Sequence, residues 1–213
     1  MAELDTRRRV PYYAQWESRD LVGAIIAGTA SARDDAQWER SGARSPEEYE
    51  YWSWRCCGMA CLNMALDYWC GFTRPTVELA KECKAAGGYV ARDSKLIGLI
   101  YEPFCAYVKD RFGLVAETHT GLSTRDIHAA LASGCLVMAS VHPDIRWPAS
   151  AAPGRGGHLV LVVGADDQAL YLNNPSGIAA SQEYARVQTD DFERFFAGRG
   201  VVLHPPVGGG AAR

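Results

Sequence analysis

The sequence predicts an α+β fold in which a mainly helical N-terminal half, built around one central buried helix, packs on a C-terminal antiparallel sheet. Two observations predict this architecture. Residues 57–69 (CGMACLNMALDYW) carry one charged residue, Asp67, and are apolar nearly all round, which is typical of a helix that runs through the middle of a domain. After residue 134, short apolar stretches of strand length alternate with turn sequences, which indicates strands.

The predicted organisation of the 213-residue chain is one domain over residues 10–203. Residues 1–9 are rich in charge and are expected to form a flexible N-terminal tail. Residues 204–213 contain two prolines and three consecutive glycines, so a flexible C-terminal tail is expected there. Residues 18–55 are polar and charged but include three tryptophans, which indicates a packed insertion rather than a linker.

Helices are predicted on both sides of the central one, at residues 20–27, 46–52, 75–86 and 102–112. Ser45 precedes a proline and two acids, which is the order of an N-cap, a first-turn proline and dipole-stabilising carboxylates. Gly87 and Gly113 end the two later helices.

The C-terminal half is predicted to contain an extended segment at 114–118, a helix from 123 or 124 to about 133, and strands at 135–141, 158–164, 169–172 and 201–203. Residues 166–168 (DDQ) separate two of these strands and signal a hairpin, which makes the sheet antiparallel. The strand at 201–203 is expected at an edge of that sheet.

Charge and hydropathy exclude several classes of function. The chain has 22 Lys and Arg against 25 Asp and Glu, and this absence of basic excess argues against nucleic acid or an anionic membrane as a partner. Its longest apolar runs reach less than half of the roughly 20 residues that a membrane-spanning helix needs. A peptide or another amide-containing small molecule is the expected partner, and the sequence leaves the oligomeric state open.

The cysteines and histidines indicate neither disulfides nor a metal site. Seven cysteines form an odd set without a C-x-x-C pair, and a chain of this size has core enough without disulfides. The five histidines lack zinc-binding spacing. We therefore expect reduced thiols, a cytoplasmic location with no visible export signal, and no bound metal.

Cys57 is the candidate nucleophile. It begins the central helix, where unpaired amides and the helix dipole favour a thiolate and where its own N–H can point at an oxyanion. Gly58 is expected to let a substrate approach the backbone closely. Its neighbour Cys56 does not begin the helix. Most cysteines are simply small buried residues, and the other five cysteines fit that description better.

His158 is the candidate base, because it opens a strand after the glycine-rich segment 153–157, where a side chain can face a cleft. His142, at the end of the preceding strand, is the rival. Asn174 follows the next strand, so the hairpin brings it close to His158 and lets it orient the imidazole. Asn174 also suits an Asn-Pro turn, and both roles can hold together.

These residues resemble a known family, the C39-like peptidases within the papain-like cysteine peptidase fold, over roughly residues 10–203. The matching elements are in papain-like order, namely Gln15, Cys57-Gly58, Gly157-His158 and Asn174-Pro175. The resemblance implies a papain-like fold and thiol-based cleavage of peptide or other amide bonds without a cofactor. It implies Cys57 as nucleophile and His158 as base and acid. It likewise implies Asn174 as orienting residue and Gln15 as side-chain oxyanion donor.

The sequence departs from the family pattern at two positions. Papain-like enzymes usually place the glutamine six residues before the cysteine, whereas Tyr51 stands there. Gln15, in a segment that looks like the family's N-terminal strand, can replace it only if residues 18–55 loop out and return. Many C39-like members have Asp where this chain has Asn174, which keeps a hydrogen-bond acceptor but removes a charge.

The predicted function is hydrolysis of a peptide or amide bond through a Cys57 thioester. The alternatives are an acyltransferase that uses the same triad and a catalytically silent peptide-binding module, because fold alone does not prove activity. A thiolate–imidazolium pair is expected, so Cys57 should ionise well below the ordinary thiol value of about 8.5 and react near pH ~6.

Overall fold

The computed structural model describes residues 8–93 and 95–206. Its α-helices are α1 (Val22–Ile26), α2 (Pro46–Ser53), α3 (Cys57–Cys70), α4 (Thr76–Ala85), α5 (Tyr101–Phe112), α6 (Thr124–Ala132) and α7 (Thr189–Phe195). Its strands are β1 (Tyr89–Arg92), β2 (Lys95–Gly98), β3 (Ala116–His119), β4 (Leu136–Val141), β5 (His158–Ala165), β6 (Ala169–Asn173), β7 (Ala185–Gln188) and β8 (Phe196–Leu203). Short 3₁₀ helices lie at Arg19–Leu21, Ala32–Asp34, Trp38–Ser41, Pro143–Arg146 and Ala179–Ser181.

Helices cover both faces of one six-stranded sheet, whose order is β3-β8-β4-β5-β6-β7 and whose pairs are all antiparallel. Alternate residues of β5 enter two different cores: Leu159 and Leu161 pack with α3, whereas Val160 and Val162 pack with α6 and α7. Burial on both faces explains why β4 and β5 are apolar without alternation. The predicted α+β class is confirmed.

The central helix α3 is the longest in the described residues and confirms the prediction of a buried helix. Every residue from 58 to 66 is buried, and Gly71 ends the helix in a left-handed conformation with φ of 71°. The one buried amide within it is satisfied, because Asn63 donates to the carbonyl of Arg74 and accepts from its N–H. The apolar run therefore fixes α3 against the sheet, with Cys57 at its first turn.

Two predicted extended segments are placed differently in the structure. The strand expected at an edge over residues 201–203 is the end of β8, which lies between β3 and β4 inside the sheet. The segment before Gln15, which looks like the family's N-terminal strand, forms no strand at residues 10–13; the Val10 carbonyl accepts hydrogen bonds from Asn173 Nδ2 and the Tyr184 hydroxyl. The β1–β2 hairpin, β7 and α7 were not predicted.

Residues 18–55 contain α1, α2 and three of the 3₁₀ helices around a buried carboxylate. Asp35 accepts hydrogen bonds from the Ser18 N–H and hydroxyl and from the Tyr49 hydroxyl, and these bonds lower its pKa although burial opposes them. The two ends of the segment meet where Trp16 and Trp54 pack edge to face, with ring centroids 5.1 Å apart.

The predicted tails fall largely outside the described residues, which begin at Arg8 and end at Pro206. Arg8 itself donates to the carbonyls of Leu131 and Cys135. Within the described part of the chain, no helix is both long and apolar enough to cross a bilayer.

Candidate active site

The two adjacent cysteines face different surroundings. Cys56 is fully buried and its sulfur donates to the carbonyl of Thr76 at 3.9 Å. Cys57 is half-buried and lines two cavities; its N–H bonds to no backbone carbonyl among the described residues and lies close to its own sulfur. Gly58 does not leave room for a substrate as expected: a Cβ there would lie 2.9 Å from Leu99 Cδ2. Its missing side chain makes space for the protein's own loop.

His158 and Asn174 lie side by side, as the hairpin predicts. His158 Nε2 is 2.8 Å from Asn174 Oδ1, and both side chains are buried. The Ser176 N–H donates to the same Oδ1 at 3.1 Å, which fixes the oxygen of the amide toward the ring. Nε2 therefore carries the proton, and Nδ1 keeps a lone pair that can accept a thiol proton. Asn174 also begins a turn, because its carbonyl accepts from the Gly177 N–H.

The rival base has other contacts. His142 directly follows β4 and caps the next 3₁₀ helix, with its Nδ1 accepting from the Asp144 N–H at 3.2 Å. It lines neither of the two cavities that Cys57 and His158 share. Nor do the described residues contain a group of three or more His, Cys, Asp and Glu side chains placed to bind a metal.

Two cavities flank the pair formed by Cys57 and His158. The first, of about 340 Å³, lies toward residues 98–101 and β8, and we call it the Arg199 cavity. The second, of about 410 Å³, lies toward the N-terminal segment and the 3₁₀ helix at Pro143–Arg146, and we call it the Gln15 cavity. Cys57, Gly157 and His158 line both cavities.

Gln15 reaches this site although it is distant from Cys57 in the sequence. Its N–H donates to the Pro175 carbonyl at 2.9 Å, which ties the segment to the turn after Asn174. Its side-chain Nε2 donates to the Ser53 carbonyl at 2.8 Å, and its buried Oε1 has no partner. One hydrogen of the amide is thereby held, and the other is available to an oxygen in the Gln15 cavity.

Burial, not the helix dipole, dominates the protonation of the pair. It raises the pKa of Cys57, although N–H groups near the sulfur and the charge of Arg146 act in the other direction. Burial also lowers the pKa of His158 to about 4; the hydrogen bond to Asn174 opposes this and Arg146 adds to it. The structure therefore does not favour the expected thiolate–imidazolium pair, because burial favours the neutral form of the Cys57 thiol and of the His158 imidazole.

Arg146 and Ser176 are site residues that the sequence analysis missed. The Arg146 guanidinium donates through Nε to the Ser176 carbonyl at 2.6 Å and through Nη2 to the Ser176 hydroxyl at 2.7 Å. That hydroxyl lies 3.1 Å from His158 Nε2. Ser176 directly follows Asn174 and Pro175, so its position in the sequence could have indicated that it lies in the site. Nothing in the sequence of the loop around Arg146 indicates the contact of Arg146 with Ser176.

An Asn174→Asp exchange is expected to move the acid limb of the pH profile upward. The wild-type imidazole stays neutral down to about pH 4, so it can act as a base through mildly acidic solution. A carboxylate at position 174 would favour the imidazolium and raise the pKa of His158, so activity would fall at a higher pH. Profiles of kcat/KM for both proteins test this. Two results together would contradict it: an acid limb of the wild-type profile near the ordinary histidine pKa of about 6.5, and no shift of that limb in the Asn174→Asp protein.

Comparison with known proteins adds a family and a fold. Residues 8–202 match the sequence model described as the peptidase C39-like family. A C39-like protein from Bacillus anthracis superposes with a TM-score of 0.50 at 18% identity, over 70% of this chain and 88% of that one. The peptidase domain of Streptococcus ComA, a bifunctional ABC transporter of a quorum-sensing pathway, superposes with a TM-score of 0.50 at 15% identity, over 71% and 92%. No curated protein matches. At these identities the likeness concerns the fold alone, and it confirms the predicted papain-like fold.

Proposed function

Because the chain belongs to the peptidase C39-like family, we propose that it is a cysteine peptidase or amidase that cleaves a peptide or amide bond through a thioester on Cys57. The observation that carries the proposal is that Cys57, at a helix N-terminus, shares both of its cavities with His158, whose ring is oriented by Asn174 at 2.8 Å. Such an arrangement of nucleophile, base and orienting group is the signature of covalent acyl chemistry.

In the first half of the reaction, the Cys57 sulfur attacks the substrate carbonyl carbon while His158 Nδ1 takes the thiol proton. Because the resting pair is neutral, this proton moves during the attack rather than before it. The Cys57 N–H and one hydrogen of Gln15 Nε2 stabilise the oxyanion. The C–N bond then breaks, the imidazolium gives its proton to the leaving amine, and an acyl thioester remains.

In the second half, His158 takes a proton from water as the water oxygen attacks the thioester carbonyl. The tetrahedral species collapses, the C–S bond breaks, and the sulfur regains a proton as the acid product leaves. Asn174 keeps the ring in the tautomer that both halves need. Arg146 carries a positive charge near the ring, which disfavours a persistent imidazolium and returns His158 to its neutral form.

A peptide-library screen by mass spectrometry tests the proposal, with the Cys57→Ala protein as its control. Hydrolysis in H₂¹⁸O is expected to place one ¹⁸O atom in each new carboxylate, and the control is expected to give no product. Transfer products formed with an added amine, in place of the labelled acid, would indicate an acyltransferase. Identical product lists for the two proteins would contradict a Cys57 enzyme and leave the peptide-binding module.

A cytoplasmic location is part of the proposal. It is supported by the free state of all seven cysteines, one of which, Cys70, is exposed, because exposed thiols persist best in a reducing compartment.

Replacement of Gln15 by alanine is expected to lower kcat by about 10²–10³-fold with little change in KM, because the lost donor acts on the oxyanion and not on the ground state. Gln168→Ala, which removes an exposed amide from the β5–β6 turn, is the matched control and should stay within about threefold of wild type. Steady-state kinetics on a substrate from the screen measures both. A folded Gln15→Ala protein with unchanged kcat would remove Gln15 from the oxyanion site.

A further inference from the structure

The wall of the Arg199 cavity carries a positive charge and, among the described residues, no negative one. Besides the shared residues Cys57, Gly157 and His158, apolar or uncharged groups line it, and Arg199 is its one charged side chain among the described residues. Arg199 is exposed, and the described part of the chain offers its guanidinium no ion pair or hydrogen bond. An unpaired cation therefore faces the space beside the nucleophile, with no acid in the cavity wall to balance it.

An irregularity in the sheet places this arginine. β8 pairs with β4 through Phe196 opposite Val141 and Gly200 opposite Ala139, so residues 197–199 all face the single residue Ser140. Such bulges redirect side chains next to active sites. The flanking glycines build the bulge: Gly198 has φ of +64°, and a Cβ on Gly200 would lie 2.2 Å from the Met138 carbonyl oxygen. The sequence Gly198-Arg199-Gly200 thus turns the Arg199 side chain away from the hydrogen-bond ladder between β4 and β8.

A second donor stands next to the arginine. Ser140 is only 3% exposed, its side chain lines the Arg199 cavity, and its hydroxyl has no partner in the described ranges. Arg199 Nη2 and Ser140 Oγ lie 3.0 and 3.3 Å from one common point, the position that a Cβ would take on Gly156. The hydroxyl of a buried serine and a guanidinium with no partner in the described residues therefore approach one point near the cavity that Cys57 lines.

We propose that the Arg199 cavity binds a carboxylate of the substrate, with Arg199 and Ser140 as specificity-determining donors. The inference rests on the proposed function and adds to it the chemistry of one subsite. A carboxylate has two oxygens, so it can accept a charge-assisted bond from the guanidinium and a second bond from the hydroxyl. The Gln15 cavity does not offer this, because its wall includes Asp144 and its arginine, Arg146, is engaged with Ser176.

Isosteric peptide libraries test the subsite. Each library carries either Glu or Gln at one fixed position, and each is prepared with a free and with an amidated C-terminus. If the bound carboxylate is a side chain, the wild-type protein is expected to prefer Glu over Gln about tenfold at one position. If it is the chain end, the wild-type protein is expected to prefer the free C-terminus over the amidated one. Arg199→Gln should reduce the ratio to about one, Arg199→Lys should keep part of it, and 0.5 M salt should weaken it. Arg125→Gln, an equal charge change at an exposed position on α6, should keep the full ratio.

Binding by the Cys57→Ala protein provides a second readout that needs no turnover. The same Glu and Gln libraries are expected to show the same preference in dissociation constant, lost when Arg199→Gln is added. Cleavage or binding without a carboxylate preference, or a preference that Arg199→Gln leaves intact, would overturn the subsite. Absence of cleavage together with an Arg199-dependent preference in binding would instead contradict the proposed function and leave the subsite standing.

Discussion

Cys57→Ala is expected to lower kcat by about 10⁴-fold or more, the largest effect of any single change in this protein. The sulfur is the atom that forms the acyl-enzyme, and no other thiol lines the two cavities. Initial rates on a substrate from the library screen measure the loss. Because Cys57 is half-buried at the start of α3, the exchange should leave the thermal unfolding midpoint close to that of wild type.

Cys56→Ala is the matched control for this prediction. It removes the same atom one residue earlier, from a side chain that points into the core toward Thr76. We expect turnover within about threefold of wild type and a modest loss of stability, on the order of 1 kcal/mol for one small buried group. An inactive, folded Cys56→Ala protein together with an active Cys57→Ala protein would show that the position at the helix start is not what selects the nucleophile.

His158→Ala is expected to lower kcat by about 10³–10⁴-fold, because the proton of the thiol and the proton of the leaving amine both pass through Nδ1. Asn174→Ala should cost less, about 10–10²-fold, since Asn174 orients the ring and transfers no proton. The kcat values of the two variants, measured on one substrate, test this order.

His142→Ala provides the control for the base. His142 holds the Asp144 N–H and lines neither cavity with Cys57, so its loss should change kcat by less than about threefold. A His158→Ala protein that keeps wild-type kcat would remove His158 from the mechanism. A His142→Ala protein with the larger loss would assign the base to the rival.

Elements with strong local signals could be predicted from the sequence. The run from Cys57 to Leu66 is apolar nearly all round, with Asn63 as its one amide side chain, which favours a buried helix. The turn at residues 166–168 fixes an antiparallel pair, and this pair, with its register shift between Val162 and Gly164, ends close to where His158 meets Asn174. The local sequence thus predicts the position of Cys57 and the proximity of His158 to Asn174.

The remaining features depend on contacts between distant segments. The place of β8 inside the sheet follows from its pairing with β3 and β4, which lie far earlier in the chain. The approach of Arg146 to Ser176 depends on a loop without periodicity. The low pKa of His158 follows from burial, a property of the assembled domain, and burial opposes the ion pair expected from the helix N-terminus and the imidazolium.

The most direct test of the central claim is to locate the adduct that a peptidyl ketone electrophile forms with the protein. Such a reagent needs a nucleophile, oxyanion donors and a cleft together, so general thiol exposure is not enough for it to react. Fragment mass spectra of the labelled protein, with Cys56→Ala in parallel to separate the two adjacent cysteines, give the site. We expect one adduct on Cys57, abolished by His158→Ala and present in Cys56→Ala. Label on the exposed Cys70, or spread over several of the seven cysteines with no dependence on His158, would contradict it.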